Sequence, residues 1–295
     1  MDTSINTPSP GDQVFKASMR SQWDSAAAGW NAHSADIRAW LQKPTDAMCR
    51  MAGLRPGARV LDVAAGSGDQ TLAVAQAVGA QGHVLATDLS PAIVALARDN
   101  AALAGFAQVE TRVADGEDLG VPEASFDAAV CRLGLMFFPD PLRGLREMHR
   151  ALRPGGGVCT MVFSRPEKNP CLTILMSTAL KHAGLPARDP FLAGGLLSLG
   201  QPGHIDALFN SAGFQDVATI ALDAVFRLPS VDHYLAFVRG SASPVLHVLG
   251  KLDAAAAEAA WREMRERLMV FTTPDGWAGP NELLLTAGRR PEATT

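Results

Sequence analysis

Three segments of the chain have the residue types and the spacing of a nucleoside-binding site. The first, residues 59–70 (RVLDVAAGSGDQ), joins an apolar run to a helical pattern through Gly66 and Gly68. Glycines at such a turn let the chain take unusual backbone angles and let a ligand lie against bare N–H groups at a helix N-terminus. A lone turn of this kind often only connects two elements, so its meaning depends on the residues that come after it.

The two other segments end in carboxylates. An apolar run over residues 81–87 leads to Asp88, 20 residues beyond Gly68, where a carboxylate can accept both hydroxyls of a ribose. The next apolar run leads to Asp115, whose side chain could accept a hydrogen bond from an adenine amino group. Parallel strands present their carboxyl ends at one edge of a sheet, so the three segments predict a single nucleoside site.

The glycine turn also permits a dinucleotide-binding site, but the pattern for it is incomplete. The third glycine of that fingerprint should stand three residues after Gly68, and this position is Thr71. A further departure lies at Tyr234, which is followed four residues later by Val238 and not by a lysine. A nucleotide-dependent oxidoreductase therefore remains an alternative that lacks two of its expected residues.

The series formed by residues 62–68 (DVAAGSG), Asp88 and Asp115 resembles the motifs of class I S-adenosylmethionine (SAM)-dependent methyltransferases. The residues of this series are most similar to those of the menaquinone/ubiquinone C-methyltransferase-like (methyltransferase type 11) group. The resemblance covers residues 20–165 and, more loosely, 203–229 and 281–291; it departs at Ala64, where many members carry glycine. It implies SAM as the cofactor, held by Trp30, Ala64, Gly66, Gly68, Asp88, Leu89, Asp115, Gly116 and Arg132.

Apolar runs alternate with helical patterns between residues 55 and 164, which is typical of an α/β protein with a parallel sheet. We expect a doubly wound, Rossmann-like methyltransferase fold with helical lid insertions. Its seven-stranded, mostly parallel sheet should have the order 3-2-1-4-5-7-6, with the last strand antiparallel. The expected segments are a disordered N-terminus (1–17), an N-terminal helical cap (18–54), a SAM-binding core (55–164), a lid segment (165–202), a core continuation (203–229), a helical acceptor-pocket insert (230–280), and a final strand and tail (281–295).

Composition limits the partners of the chain. Its 26 basic and 30 acidic residues give a net charge of −4, so nothing points to nucleic acid. The four cysteines have neither metal-ligand spacing nor a secreted framework, which favours free thiols in a reducing cytoplasm and no metal. We see no signal peptide and no apolar run long enough to span a membrane. A homo-oligomer is left open.

The resemblance implies an in-line displacement of the methyl group, in which alignment can replace an acid or a base. The predicted cover segments are apolar, which favours a small organic acceptor but does not choose among O, N, S and C as the methylated atom. A quinone ring and a specialised metabolite both fit. If a base is used, we expect His33, which follows Trp30 near the methyl end, and then Tyr234 and His233. A non-catalytic SAM-binding module is the other alternative. The apolar cover residues are Phe191, Leu196, Leu197, Phe226, Phe237 and Val238.

Overall fold

The apolar runs of the sequence form one seven-stranded sheet in this computed structural model, which describes residues 10–293. Its strands lie in the order β3-β2-β1-β4-β5-β10-β6, and β10 is antiparallel to both of its neighbours. The predicted order is therefore confirmed, because the last strand of the sheet inserts between the fifth and the sixth. The strands are β1 (Arg59–Val63), β2 (His83–Asp88), β3 (Val109–Val113), β4 (Phe126–Arg132), β5 (Leu152–Phe163), β6 (Gln215–Asp223) and β10 (Glu282–Arg289).

The central strands are buried almost continuously, whereas the two edge strands are not. All residues of β1 after Arg59 are buried, and β4 is buried except at Asp127. Strands covered on both faces read as unbroken apolar runs, which is why these were visible in the sequence. β5 begins earlier than the sequence predicted, because residues 153–157 extend the strand with an irregular register against β4.

Helices connect the strands and pack against them. Two of them begin with a capping side chain followed by proline: Ser90 accepts a hydrogen bond from the Ile93 amide, and Asp140 accepts one from Arg143. These caps fix where each helix starts, just beyond a strand end that carries site residues. The helices of the core are α3 (Asp69–Val78), α4 (Pro91–Leu103), α5 (Pro141–Ala151) and α7 (His204–Ser211).

Two helices precede the first strand: α1 (Pro10–Ala32) and α2 (Ser34–Met51). This corrects the predicted disordered N-terminus of residues 1–17, since residues 10–17 form the first turns of α1. Pro10 suits the first turn of a helix, and contacts made by Phe15, Lys16 and Met19 hold this segment on the core. Residues 1–9 lie outside the described part of the chain.

The insert before β10 is not purely helical. Two of its strands, β8 (Thr272–Thr273) and β9 (Gly276–Gly279), join β7 (Phe226–Leu228), which precedes the insert. They form an antiparallel sheet in the order β7-β9-β8, which the sequence analysis did not predict. Short strands with little alternation carry a weak sequence signal. The lid segment contributes α6 (Pro170–His182); the insert contributes α8 (Val231–Ser241), α9 (Ser243–Leu249), α10 (Ala254–Leu268), β8 (Thr272–Thr273) and β9 (Gly276–Gly279), with β7 (Phe226–Leu228) just before it.

No helix within residues 10–293 is both long enough and apolar enough to cross a lipid bilayer.

Candidate active site

A single cavity opens at the carboxyl ends of the parallel strands and contains most of the predicted site residues. Gly66, Asp88 and Asp115 line its one end, which we call the nucleoside end. Aromatic residues from α2, β5, β7 and α8 line the other, which we call the acceptor end. The predicted residues that line this cavity are Trp30, Ala64, Gly66, Asp88, Leu89, Asp115, Gly116, Arg132 and Tyr234.

The glycine turn and Asp88 form one hydrogen-bonded unit. The Gly66 amide donates to Asp88 Oδ2 at 3.0 Å, and the Ser90 amide donates to Oδ1 at 3.1 Å. Both oxygens are thereby fixed in place while each keeps a lone pair for another donor. Burial raises the pKa of Asp88, although the amides of Ser90 and Gly66 oppose that rise. The carboxylate is therefore oriented to accept a pair of hydroxyls from the cavity.

Ala64, where the sequence departs from many family members, has a φ of +54°. This left-handed conformation costs a residue with a Cβ about 1–2 kcal/mol, a cost that glycine avoids. Space for the extra methyl comes from Gly134, because a Cβ at Gly134 would lie 2.3 Å from the Ala64 Cβ. Leu133 beside it also has a positive φ, of 56°. Strained residues thus stand at the ends of β1 and β4, where both border the cavity.

Gly68, a predicted cofactor-binding residue, does not line the cavity. It precedes α3 with a φ of +95°, and a Cβ there would lie 3.2 Å from the Cα of Ala97 in α4. Gly68 is thus required by backbone conformation and by the close approach of α4. Its part in the site is to shape the turn that presents Gly66.

Asp62, within the same motif, is fully buried beneath the turn. It accepts hydrogen bonds from Thr71 Oγ1 at 2.6 Å and from Gln70 Nε2 at 3.2 Å. Burial raises the pKa of Asp62 to about 6, although these two hydrogen bonds lower it. Thr71, which interrupts the dinucleotide fingerprint, therefore anchors the first turn of α3 to β1.

Asp115 and Glu117 share a cation that the sequence analysis missed. Lys16 Nζ lies 2.6 Å from Asp115 Oδ2 and 2.6 Å from Glu117 Oε2. The Glu117 amide also donates to Asp115 Oδ1 at 2.9 Å. Gly116 between them packs under Phe138, since a Cβ there would lie 2.2 Å from the ring. Both the bend at Gly116 and the Lys16 pairs hold Asp115 at the cavity wall.

Arg132 is buried at the end of β4 and lines the cavity. Its Nη1 donates to Thr45 Oγ1 of α2 at 3.0 Å. Burial lowers the pKa of Arg132, while the charges of Asp69 and Asp62 raise it. The sequence left open whether Arg132 reaches the cofactor's carboxylate or holds a neighbouring segment. The contact with Thr45 supports the second role.

Trp30 stands between the two ends of the cavity. Its Nε1 would lie 3.6 Å from a Cβ at Gly66, and its ring is 5.9 Å from that of Phe237. Trp23 packs edge-on against it at 6.1 Å and edge-on against Phe137 at 5.3 Å. An indole face at this position could meet a ligand cation by a cation–π contact.

Stacked aromatic rings form the acceptor end. Trp40 and Phe226 stack with their centroids 4.6 Å apart and an 8° angle between planes, and Trp40 Nε1 donates to the Ala224 carbonyl at 2.7 Å. Tyr234 stacks on Trp277 at 4.4 Å. These stacked pairs, which stabilise one another, give the acceptor end an apolar wall.

Tyr234 is the predicted base that the cavity contains. Burial raises the pKa of its phenol well above the ordinary value, so the hydroxyl keeps its proton at neutral pH. A protonated phenol facing a cavity can donate a hydrogen bond to a ligand, and this suits orientation of the ligand better than proton abstraction.

The two predicted histidine bases lie outside the cavity lining. His33 packs edge-on against the ring of Phe237 at 5.4 Å, and its Nδ1 is 3.4 Å from Asp36 Oδ2. His233 is exposed, and its Nδ1 is 2.9 Å from Ser230 Oγ at the start of α8. The structure therefore corrects this part of the prediction: His33 lies in the turn between α1 and α2 and His233 in the first turn of α8, and neither belongs to the cavity lining.

The cover segments are only partly in place as predicted. Leu196, Phe226, Phe237 and Val238 line the cavity, whereas Phe191 and Leu197 are absent from its lining. The four cysteines are buried free thiols whose pKa values burial raises, which disfavours a thiolate nucleophile. Residues 10–293 contain no group of three metal-ligating side chains.

Sequence reasoning missed the residues that the first half of α1 contributes to the cavity. Phe15, Lys16 and Met19 line it, and all three lie in or next to the segment that was expected to be disordered. A spacing of four residues between Phe15, Met19 and Trp23 was the signal, since it places these side chains on one helix face. The prolines and polar residues just upstream obscured it.

The sheet order and the glycine turn with acidic strand ends define a Rossmann-like methyltransferase fold. The YcgJ protein from Bacillus subtilis has this fold with a TM-score of 0.58 and 19% identity, over 85% of this chain and 100% of that one. The [4+2]-cyclase SpnF has it with a TM-score of 0.53 and 24% identity, over 85% and 82% of the two chains. The predicted fold is confirmed, and the SpnF comparison shows that one fold can carry another reaction.

The chain belongs to the ubiE/COQ5 methyltransferase family, whose model matches residues 18–182. It is 36% identical over 120 residues to the ubiquinone/menaquinone biosynthesis C-methyltransferase UbiE of Teredinibacter turnerae, covering 40% of this chain and 48% of the relative. It is 32% identical over 126 residues to the demethylmenaquinone methyltransferase of Bacillus subtilis, covering 43% and 54%. The chain thus matches about half the length of these relatives. The resemblance to the quinone C-methyltransferase-like group is confirmed.

Proposed function

We propose that this chain is a SAM-dependent methyltransferase that transfers a methyl group to a small, largely apolar, quinone-like acceptor. The observation that carries the proposal is the single cavity with a polar nucleoside end and an aromatic acceptor end. Membership of the ubiE/COQ5 methyltransferase family supports the reaction type. The cavity supports a reaction between two bound molecules, one at each end.

The residues of the nucleoside end fit the adenosine part of SAM. The oxygens of Asp88 each have one backbone donor and a remaining lone pair, as a ribose diol requires. Asp115 borders the same cavity and could accept the adenine amino group. Gly66 has a φ of +58°, a conformation that favours glycine. Because glycine has no side chain, a ligand has room to approach the backbone at this turn. When bound, SAM supplies a methyl group already activated by a positively charged sulfur.

The chain's own contribution is alignment and exclusion of water. Trp30 separates the two ends of the cavity and is placed to cover the cationic centre. The rings of Trp40, Phe226 and Phe237 offer flat apolar walls to a planar acceptor. Tyr234 donates a hydrogen bond to an acceptor oxygen and so fixes the orientation of the ring. Holding reactants in a near-attack geometry can remove about 7–11 kcal/mol of a barrier in favourable cases, so no strong base is required.

The aromatic walls favour a planar acceptor such as a reduced quinone or a phenolic specialised metabolite. The relatives named as UbiE and as demethylmenaquinone methyltransferase support a quinone-like ring. The methylated atom, among O, N, S and C, depends on how the ring lies against Tyr234. The buried free thiols fit a reducing compartment, in agreement with a cytoplasmic enzyme.

Two binding and activity measurements test this proposal. Isothermal titration calorimetry should detect SAM binding and no NAD binding. A screen of quinols and phenols with methyl-labelled SAM should then find an acceptor that incorporates label. NAD binding without SAM binding would support the oxidoreductase alternative. SAM binding with no labelled product across the screen would favour a non-catalytic SAM-binding module, and the Asp88→Ala variant serves as the control that lacks the proposed ribose contact.

A further inference from the structure

The two halves of α1 are attached to the protein in different ways. In the second half, Asp24 Oδ1 accepts hydrogen bonds from Ser90 Oγ and, at 3.3 Å, from the Ala92 amide of α4. Asn31 Oδ1 accepts one from Asn100 Nδ2 of α4 at 2.8 Å. Gly29 packs so closely on α8 that an added Cβ would lie 1.9 Å from the Gly240 carbonyl oxygen. Residues 24–31 are therefore held by two separate helices.

The first half of α1 has a smaller set of attachments. Among residues 13–20, whose side chains the structure describes, Lys16 makes the only polar side-chain contacts with the core, to Asp115 and Glu117. Phe15 lies against the 189–195 loop, where a Cβ at Gly194 would come within 2.6 Å of its ring. Val14 beside them is 71% exposed. Lys16 with its two carboxylate partners is thus the polar attachment of this half-helix, beside the apolar contacts of Phe15 and the buried Met19.

This half-helix covers the nucleoside end of the cavity. Phe15, Lys16 and Met19 all belong to the cavity wall, facing the strand ends that carry Asp88 and Asp115. The Lys16 side chain is 13% exposed, that of Asp115 is 30% exposed, and that of Glu117 is 3% exposed. Charge-assisted hydrogen bonds with so little solvent contact are stronger than surface ion pairs. The half-helix therefore forms part of the wall past which a ligand at this end would enter and leave.

We propose that the first half of α1 is a lid over the nucleoside end, and that Lys16 is its latch on Asp115 and Glu117. This proposal rests on the proposed function, because it takes the cavity to bind SAM and its product S-adenosylhomocysteine. The latch controls how fast these molecules exchange. It changes their affinity much less, because it must open both for entry and for release.

The shared geometry explains how the latch can close over a bound ligand. Asp115 can turn its free lone pairs to an adenine amino group while Lys16 stays on Glu117. Glu117 is itself fixed, because its Oε1 accepts a hydrogen bond from the Asp140 amide at 2.8 Å. Lys16 thus has two partners: Asp115, which also faces the ligand, and Glu117, which makes no contact with the ligand in this proposal.

Stopped-flow fluorescence of the cavity tryptophans, with S-adenosylhomocysteine as the probe, tests the latch. In Lys16→Met the association and dissociation rate constants should each rise about tenfold, the scale of one charge-assisted hydrogen bond. The dissociation constant should change by less than about threefold, because both rates change together. Lys16→Arg keeps the charge and should restore wild-type rates. Arg20→Met is the matched control, because it removes a cation from an exposed residue of the same half-helix.

Unchanged rate constants in Lys16→Met would overturn the latch. So would a rise in the dissociation rate constant alone, with an unchanged association rate constant and an equal rise in the dissociation constant. The second result would make Lys16 a simple binding contact. Amide hydrogen exchange of residues 13–20 in the ligand-free protein gives an independent readout, which should be faster in Lys16→Met than in Arg20→Met. Equal exchange in the two variants would overturn the latch, whether or not the wild type binds a ligand. Failure of the wild type to bind SAM and S-adenosylhomocysteine would refute the proposed function and leave the exchange test of the latch intact.

Discussion

The nucleoside end of the cavity takes its main polar residues from the short stretch between Gly66 and Asp115, whereas the acceptor end takes its rings from Trp40 through Phe237. At the first end, consecutive strand ends of one sheet bring the residues together. At the second, a helix before the sheet and an insert near its last strand have to meet. The nucleoside end selects its ligand by hydrogen bonds and charge. The acceptor end selects its ligand by shape.

The largest expected difference between the ends concerns pH. Asp62 lies under the glycine turn, and burial raises its pKa to about 6 from an ordinary value of 3.8. The folded state therefore binds the Asp62 proton more tightly than the unfolded state does. The stability that this protonated carboxyl contributes is present at low pH and is lost as the pH rises through about 6. Each pKa unit is worth about 1.4 kcal/mol, so the loss should be about 2–3 kcal/mol.

Urea unfolding between pH 4 and pH 7.5 measures this effect as a difference between proteins. The free energy of unfolding of the wild type should fall across this range relative to that of Asp62→Asn, which has no proton to lose. Thr71→Val removes a hydrogen bond that lowers the pKa of Asp62, so the fall should be larger in total and extend to higher pH. Parallel curves for wild type and Asp62→Asn would show that Asp62 titrates at its ordinary pKa.

The nucleoside end could be predicted from the sequence because each of its parts is local. The apolar run before Gly66, the carboxylate at the end of β2 and the next one at Asp115 are each read from a few neighbouring residues. The parallel sheet then dictates that they meet. At Ala64 the φ of +54° gives a physical reason for the glycine that the family resemblance leads us to expect at this position.

The acceptor end could not be predicted to the same depth because its contacts are long-range. Tyr234 could be named from its position in the insert, but its stacking on Trp277 and its raised pKa depend on packing between α8 and β9. His33 was chosen for its closeness to Trp30 in sequence, but its ring packs edge-on against Phe237 and does not line the cavity. The role of Lys16 was not predicted because its two partners lie about 100 residues away in sequence. An ion pair between such distant residues leaves no local sequence pattern.

The next largest effect should be at Asp88. Replacing it with alanine removes a charged hydrogen-bond acceptor for the ribose, which should weaken SAM binding by about 1.5–3 kcal/mol. The amides of Gly66 and Ser90 also lose their partner, so Asp88→Asn is the control that keeps one side-chain oxygen. Calorimetry with SAM measures both variants. Equal affinity for SAM in Asp88→Ala and wild type would refute the ribose contact, whereas affinity for the methyl acceptor should stay unchanged in either variant.

The smallest expected effect belongs to the acceptor end and separates two roles of one phenol. Tyr234→Phe keeps the ring on Trp277 and removes only the hydroxyl. If Tyr234 orients the acceptor, the KM for the acceptor found in the labelled-methyl screen should rise by the loss of one neutral hydrogen bond, about 0.5–1.5 kcal/mol, with kcat and SAM affinity nearly unchanged. A base would behave otherwise, since its loss lowers kcat by about 10²-fold or more and changes the pH profile. Because burial raises the pKa of this phenol well above its usual value, we expect the first pattern, and a flat pH profile of kcat around neutrality in both proteins. A large fall in kcat would instead make Tyr234 a proton acceptor, and the aromatic end would then take part in the chemistry as well as in shape recognition.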